Sequence, residues 1–247
     1  MLEDSIEAAA RALGRAQRVM AFTGAGVSAE SGVATFRGAG GLWEGQPVEE
    51  VATPQAFQRD PLRVWRFYEA RRLQASTVAP NPAHLTLARW QERFPTYCLT
   101  TQNVDGLHQA AGSRDVLELH GGLWRVRCTG CGRRREERTV PLPALPPHCP
   151  ACGAMERPDI VWFGEMLPAD VLSAAAAAAA AVEVFLVVGT SAVVYPAAGL
   201  VEIAAGAGAT VIEVNPEASA LAHLADIVLR GPAGELLPRV DARLPAA

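Results

Sequence analysis

Four of the five cysteines in this 247-residue chain form two pairs, Cys128-x-x-Cys131 and Cys149-x-x-Cys152. The gap between the pairs falls in the window of about 15–20 residues typical of a four-cysteine zinc site. Such knuckles present four thiolates tetrahedrally to Zn²⁺. Two disulfides are the other reading, which a reducing compartment disfavours. Four thiolates leave no open coordination position, so one bound zinc would be structural. His148, beside Cys149, is an alternative ligand. Cys98 lies in an apolar run and reads as a core residue.

A second chemistry-bearing stretch is Gly24-Ala25-Gly26-Val27-Ser28-Ala29, directly after the apolar run Arg18-Val19-Met20-Ala21-Phe22. It matches Gly-x-Gly-x-x-Gly/Ala, in which glycines let the backbone approach a pyrophosphate at a helix N-terminus. A tight strand-to-helix turn with no ligand fits the same residues. Two further stretches carry groups suited to catalysis. Thr101-Gln102-Asn103-Val104-Asp105 offers an amide and a carboxylate that could hold a ribose and orient a leaving group, or form an ordinary Asx turn. Leu119-His120-Gly121-Gly122 sets an imidazole beside two glycines, either as a loop residue or as a general base near neutral pH. His84, His108 and His223 lie in helical patterns and read as structural.

The elements that must position these groups follow from periodicity. Residues 3–17 read as a helix, then comes the strand at 18–22. In an ordinary dinucleotide unit of about 30 residues, an acidic residue stands about 20 positions on, at the end of the second strand. Here Glu44 has that offset but sits in a Gly/Trp loop, and the next strand-like run is Thr96-Tyr97-Cys98-Leu99-Thr100. Something is inserted between the phosphate turn and the second strand, over the ligand crevice. Residues 33–60 read as a glycine-rich mobile loop. Residues 62–76 read as a helix opened by Asp60-Pro61. A helix at 83–93 leads into the second strand, and the cysteine unit occupies 128–152. Beyond 157 come a helix at 174–181 and buried strands at 184–188, 209–214 and 227–229. Continuous Val/Ile/Leu runs alternating with helices predict an α/β fold with a doubly wound parallel sheet. Ligands then bind beyond the C-terminal strand ends. Residues 24–28, 101–105, 189–191 and 215–217 should converge there.

Composition sets the outer bounds. Half the residues are hydrophobic and 19% are charged, as in a globular protein. The net charge of −4 gives no strong nucleic-acid signal. All 22 basic residues are arginine, so no lysine Schiff base is available. The N-terminus shows no secretory pattern and no run reads as a membrane span, so the expected location is cytoplasmic.

The motifs together resemble the sirtuins, NAD-dependent protein deacylases. The resemblance is carried by residues 24–32, Thr35-Phe36-Arg37, residues 101–105, Leu119-His120-Gly121, the four cysteines, residues 161–165, Gly189-Thr190-Ser191 and Val214-Asn215. It implies a Rossmann-like NAD-binding domain (residues 1–38, 83–124 and 157–247). A smaller inserted domain would comprise a helical module with the cofactor loop (39–82) and a zinc module (125–156). By the same resemblance Gly24, Ala25, Gly26, Ser28, Glu30, Thr35, Phe36, Arg37 and Trp43 would line NAD. Gln102, Asn103, Val104 and Asp105 would surround its nicotinamide ribose and amide. Gly189, Thr190, Ser191, Asn215, Pro216, Glu217 and the Ala233 backbone would hold the adenosine half. Val161, Trp162, Phe163 and Gly164 would pair with an acyl-lysine peptide as an added strand.

The implied catalytic residues are His120, Asn103 and Asp105. The acyl oxygen attacks the nicotinamide ribose and nicotinamide leaves. His120 then deprotonates a ribose hydroxyl, and O-acyl-ADP-ribose and free lysine result. Tyr68 and Arg71, at i and i+3 on one helix face, resemble the pair that holds the acyl carboxylate in sirtuins preferring succinyl-, malonyl- or glutaryl-lysine. Spacing alone favours a solvated arginine beside a core tyrosine; the resemblance favours the acyl-reading pair. Rival readings are a dehydrogenase, for which no hydride-transfer site is found, a protein ADP-ribosyltransferase, and a catalytically silent NAD or ADP-ribose sensor.

Overall fold

A computed structural model describes residues 2–34, 42–43 and 46–245, with the side chains of 42, 43 and 46 excepted. The chain opens with α1 (Leu2–Arg15), whose Ile6, Ala9 and Leu13 are fully buried. β1 (Arg18–Thr23) runs into the helical turn α2 (Gly26–Ala29). A two-residue ribbon follows, β2 (Leu42–Trp43) against β3 (Gln46–Pro47). Then come α3 (Val48–Val51), α4 (Pro54–Arg59), α5 (Pro61–Thr77) and α6 (Pro82–Arg93). β4 (Thr96–Thr101) and α7 (Leu107–Ala110) lead to β5 (Leu117–Glu118). β6 (Gly121–Cys128), β7 (Arg134–Glu136) and β8 (Glu156–Ile160) make a separate antiparallel sheet in the order β7-β6-β8. The rest alternates: α8 (Ala169–Ala181), β9 (Val184–Val188), α9 (Gly199–Gly206), β10 (Thr210–Val214), β11 (Ile227–Leu229) and α10 (Ala233–Asp241).

The main sheet is parallel throughout, in the order β11-β10-β9-β1-β4-β5. β1 pairs with β4 on one side and β9 on the other. The chain therefore changes winding direction at β1, and the crevice beyond the strand ends at this switch is where such sheets bind ligands. Alternation along the strands builds two cores. Val19 and Ala21 face α1, α6 and α10, whereas Met20 and Phe22 face α8 and α9. This is the parallel sheet covered on both faces that the residue pattern implied, and the Rossmann-like fold that the resemblance implied.

A third core lies apart from the sheet. It joins Val48, Val51, Phe57, Val64, Trp65 and Tyr68 to Leu123, Val126, Ile160 and Trp162. The helices inserted after β1 thus share one apolar interior with the cysteine-bearing sheet. The glycine-rich reading of residues 33–60 as a loop is corrected for its second half. Residues 48–59 form two helical turns, the second capped by Thr53 Oγ1, which accepts from Ala56 N at 3.1 Å. Buried Val48, Val51 and Phe57 anchor them, a packing that glycine content does not report.

Candidate active site

The ends of β1 and β9 touch closely enough to explain their glycines. Gly26 N donates to Gly189 O at 2.7 Å, and a Cβ on Gly26 would stand 2.7 Å from that oxygen. Gly189 has φ +60 and its own Cβ would meet Val27 N at 2.3 Å. Only glycine fits either position. Thr190 then ties three strand ends together. Its Oγ1 accepts from Gln102 Nε2 at 2.9 Å, and its carbonyl accepts from Asn215 Nδ2 at 3.0 Å. Gly24, Gln102, Gly189, Thr190 and Asn215 are therefore brought together as expected. Ala25 is half-buried beside them, while Ser191, Pro216 and Glu217 are exposed and Ala233 is buried. The Glu30 carboxylate accepts from Gly234 N, at the start of α10, at 2.8 Å.

Ser28 is the centre of a buried polar cluster. Its hydroxyl donates to Asp105 Oδ2 at 2.8 Å and accepts from Asn103 Nδ2 at 3.0 Å. His84 Nε2 lies 3.3 Å from the same oxygen. His84 Nδ1 accepts from Asn81 N at 3.3 Å, so Nε2 carries the proton and donates to Ser28. One hydroxyl thus fixes both the amide and the carboxylate of the loop that follows β4. Burial raises the Asp105 carboxyl, against the opposing bonds from Leu107 N and Ser28.

A second chain runs beneath it. Thr23 Oγ1 donates to Thr101 Oγ1 at 2.8 Å and lies 2.9 Å from His108 Nε2. Thr101 Oγ1 in turn accepts from Asn103 N at 3.0 Å. The His84 and His108 rings meet edge to face at 4.9 Å. Burial pushes them down to about 4 and about 3, so both are neutral near pH 7. Sequence reading placed these histidines in helices but missed their partners. Asn81-Pro82-Ala83-His84, a capping box on α6, was the available signal.

His120 is half-buried at the end of β5, where its Nδ1 lies 2.8 Å from Gln102 O. A carbonyl only accepts, so Nδ1 carries the proton and Nε2 presents its lone pair. Burial lowers its pKa, against the opposing Gln102 bond. The imidazole is thus held as a neutral base in one tautomer. Val104 O accepts from Leu123 N at 2.8 Å, joining this loop to the small sheet. Thr35, Phe36 and Arg37 lie outside the described residues, and so does the Trp43 side chain.

Residues 161–164 leave β8 beside His120, with Val161 N donating to His120 O at 2.9 Å. Trp162 N donates to Glu165 Oε2 at 2.9 Å and Phe163 N to Ala52 O at 3.0 Å. The Val161, Trp162 and Phe163 amides are therefore already engaged within the chain. Tyr68 is fully buried, and its oxygen accepts from Trp162 Nε1 at 3.0 Å. Arg71 is half-buried with its guanidinium 5.4 Å from the Phe67 ring centre, and burial lowers its pKa. The arginine beside it is no surface residue. Arg72 is 1% exposed, and it donates to Leu123 O and Thr139 O, each at 2.8 Å. Its Nε lies 3.3 Å from Glu69 Oε2.

The four cysteine sulfurs lie within 4.8 Å of one another. Cys128 and Cys152 Sγ are 3.4 Å apart and Cys131 and Cys149 Sγ 3.8 Å, with no disulfide formed. A tetrahedral ion with sulfur ligands at about 2.3 Å would separate them by about 3.8 Å. Gly130 N and Cys131 N both donate to Cys128 Sγ, which suits a thiolate. The donor set fits Zn²⁺, and His148 stands outside this cluster.

Comparison with known proteins agrees with the geometry. The Sir2 family profile matches residues 24–196. An NAD-dependent protein deacylase of Aquifex aeolicus is 51% identical over 90% of this chain and 93% of its own. A Sir2 homologue solved in complex with NAD superposes with TM-score 0.89 at 45% identity, covering 97% of this chain and 95% of that one. A Sir2 protein bound to a myristoylated histone peptide superposes with TM-score 0.78 at 36% identity, covering 98% and 97%.

Proposed function

The chain belongs to the Sir2 family, and within that family we propose which of its residues bind NAD, move protons, read the acyl group and hold zinc. It is an NAD-dependent protein deacylase. NAD supplies the electrophilic ribose carbon and the nicotinamide leaving group. The Rossmann-like residues 1–38, 83–124 and 157–247 would bind it, with 39–82 and 125–156 as the inserted modules. Glycines 24, 26 and 189, with Thr190 and Asn215, would line its phosphates and adenosine. Thr35, Phe36, Arg37 and Trp43 would cover it. Asn103 and Asp105, fixed by Ser28, would orient the nicotinamide ribose.

One observation carries the assignment of the base. His120 Nδ1 is committed to Gln102 O, so Nε2 is the atom that takes the ribose proton. A silent NAD or ADP-ribose sensor would have no use for a lone pair held in this way. Protein ADP-ribosyl transfer is the alternative activity for the same site. Cys128, Cys131, Cys149 and Cys152 would hold one zinc, which with four thiolates stabilises its module and takes no part in the chemistry. A cytoplasmic location suits five cysteines that form no disulfide. Among the described residues no helix is long and apolar enough to cross a membrane.

For the acyl group we infer succinyl and malonyl chains in addition to acetyl. Arg71 would pair the carboxylate, because an unpaired charge is costly to bury. The myristoylated peptide carried by a relative favours a second reading, a purely apolar acyl tail against the third core. Nicotinamide release with acetyl-, succinyl-, malonyl- and myristoyl-lysine peptides decides between them. Turnover of succinyl-lysine at or above that of acetyl-lysine supports the carboxylate reading, and myristoyl turnover with no succinyl turnover rejects it.

A further inference from the structure

Arg157, in β8, is the best-anchored cation among the described residues near residues 161–164, and no role above uses it. Its side chain is 9% exposed. Nη1 and Nη2 donate to the two oxygens of Glu165 at 2.6 and 2.9 Å, a bidentate pair that closes back over the intervening turn. Nη2 also donates to Ile160 O at 2.9 Å. The guanidinium carbon lies over the Trp162 ring, 3.3 Å from its centre. Glu165 accepts from Trp162 N, and Glu165 N donates to Trp162 O at 3.0 Å. The carboxylate gripped by this fork thus also holds the Trp162 amide, while Phe163 N is held separately by Ala52 O. Burial alone would raise the Glu165 carboxyl, but the Arg157 bonds, the Trp162 amide and nearby Arg127 hold it below its usual range.

The grip extends inward. Trp162 is 2% exposed, packs on Phe57 with ring centres 5.3 Å apart, and donates its indole N–H to Tyr68. An indole N–H can only donate, so it dictates which lone pair of the Tyr68 oxygen is used.

We propose that Arg157 is a positioning residue for the protein substrate: through Glu165 it sets the peptide-reading edge at residues 161–164, and through Trp162 the Tyr68 phenol of the acyl site. This rests on reading residues 161–164 as the substrate edge. A lysine cannot replace it, because an ammonium neither forks onto a carboxylate nor stacks on a ring.

The test uses Arg157→Lys and Glu165→Gln in the full chain, with acetyl- and succinyl-lysine peptides, NAD, ADP-ribose and thermal melts. Both variants should raise the KM for either peptide about tenfold or more, because both lose a charge-assisted pair. The KM for NAD and the affinity for ADP-ribose should stay within about twofold. Peptide KM values within about twofold of the parent in folded variants overturn the proposal, and so does an equal loss toward NAD. If Arg157→Lys does not fold, the near-isosteric Glu165→Gln decides alone. Hydrogen exchange on the parent separates the two readings. An acetyl-lysine peptide that leaves the Gly164 amide unprotected removes the substrate edge itself. Protection there with unchanged peptide KM in the variants removes only Arg157.

Discussion

Around Ser28 the working groups are short side chains, fixed by hydrogen bonds between neighbouring strand ends. Around Trp162 they are long side chains, fixed by ring packing and ion pairs between segments inserted far apart in the chain. The two regions meet at His120, whose ring is held by the first and whose carbonyl anchors the second. Short groups held by several hydrogen bonds lose little freedom and hold one geometry, which suits proton transfer to a defined atom. Packed aromatics and forked arginines offer a shaped surface, which suits recognition. Substitutions in the first region should therefore act on kcat, and substitutions in the second on substrate KM.

The largest effect is expected at the junction. His120→Ala should lower kcat by about 10²–10⁴-fold, the usual worth of a general base, while NAD binding measured by calorimetry persists. In the parent, kcat/KM should fall on the acid side as Nε2 takes a proton. That limb should lie below 6.5, because burial lowers the pKa and the neutral form survives to more acidic pH. A limb above 6.5 would assign the base elsewhere.

Cys149→Ala comes next and tests whether the two regions are separable. It removes a ligand from a site whose metal contributes folding energy directly. Metal analysis should show zinc in the parent and none in the variant, with a melting temperature lower by about 10 °C. ADP-ribose binding at low temperature should survive, since Ser28 and Thr190 follow β1 and β9 of the main sheet. Its loss would mean that the two regions fold as one unit.

Arg71→Met and Tyr68→Phe probe acyl recognition. Arg71→Met should cost succinyl-lysine about tenfold to a hundredfold in kcat/KM, chiefly through KM, and leave acetyl-lysine nearly unchanged. Tyr68→Phe should act in the same direction but by only a few fold. It also strips Trp162 Nε1 of its acceptor, so a stability loss of about 1–3 kcal/mol should accompany it. Equal loss on both acyl groups would make the pair a support for α5 alone.

The parts legible in the sequence were those encoded locally. The strand runs, the glycines at 24, 26 and 189 and the two Cys-x-x-Cys knuckles each state their geometry within a few residues. The loops that follow parallel strands had to converge, and Gln102, Thr190 and Asn215 do. What escaped was long-range. His108 reaches Thr23 across 85 positions and His84 reaches Ser28 across 56, so neither neighbourhood announces a partner. Nothing in the neighbourhood of Arg71-Arg72 marks Arg72 as buried. Its burial depends on carbonyls of Leu123 and Thr139, which only the fold brings to it. Residues 48–59 were masked by adjoining glycines, although their valines and Phe57 belong to the third core.

The ion pairs found among the described residues all take arginine as their cation, and the sequence contains no lysine at all. An enzyme whose substrate is acylated lysine thus offers no ε-amine of its own along these 247 residues. Reactive acyl donors that modify surrounding proteins find no side-chain amine here to acylate. The clamps at Arg157 and Arg72 cannot be neutralised by the modification the protein removes. Guanidinium groups also keep their charge far above physiological pH. The scaffold is chemically blind to its own substrate, so its activity cannot be tuned by acyl groups placed on its own lysines.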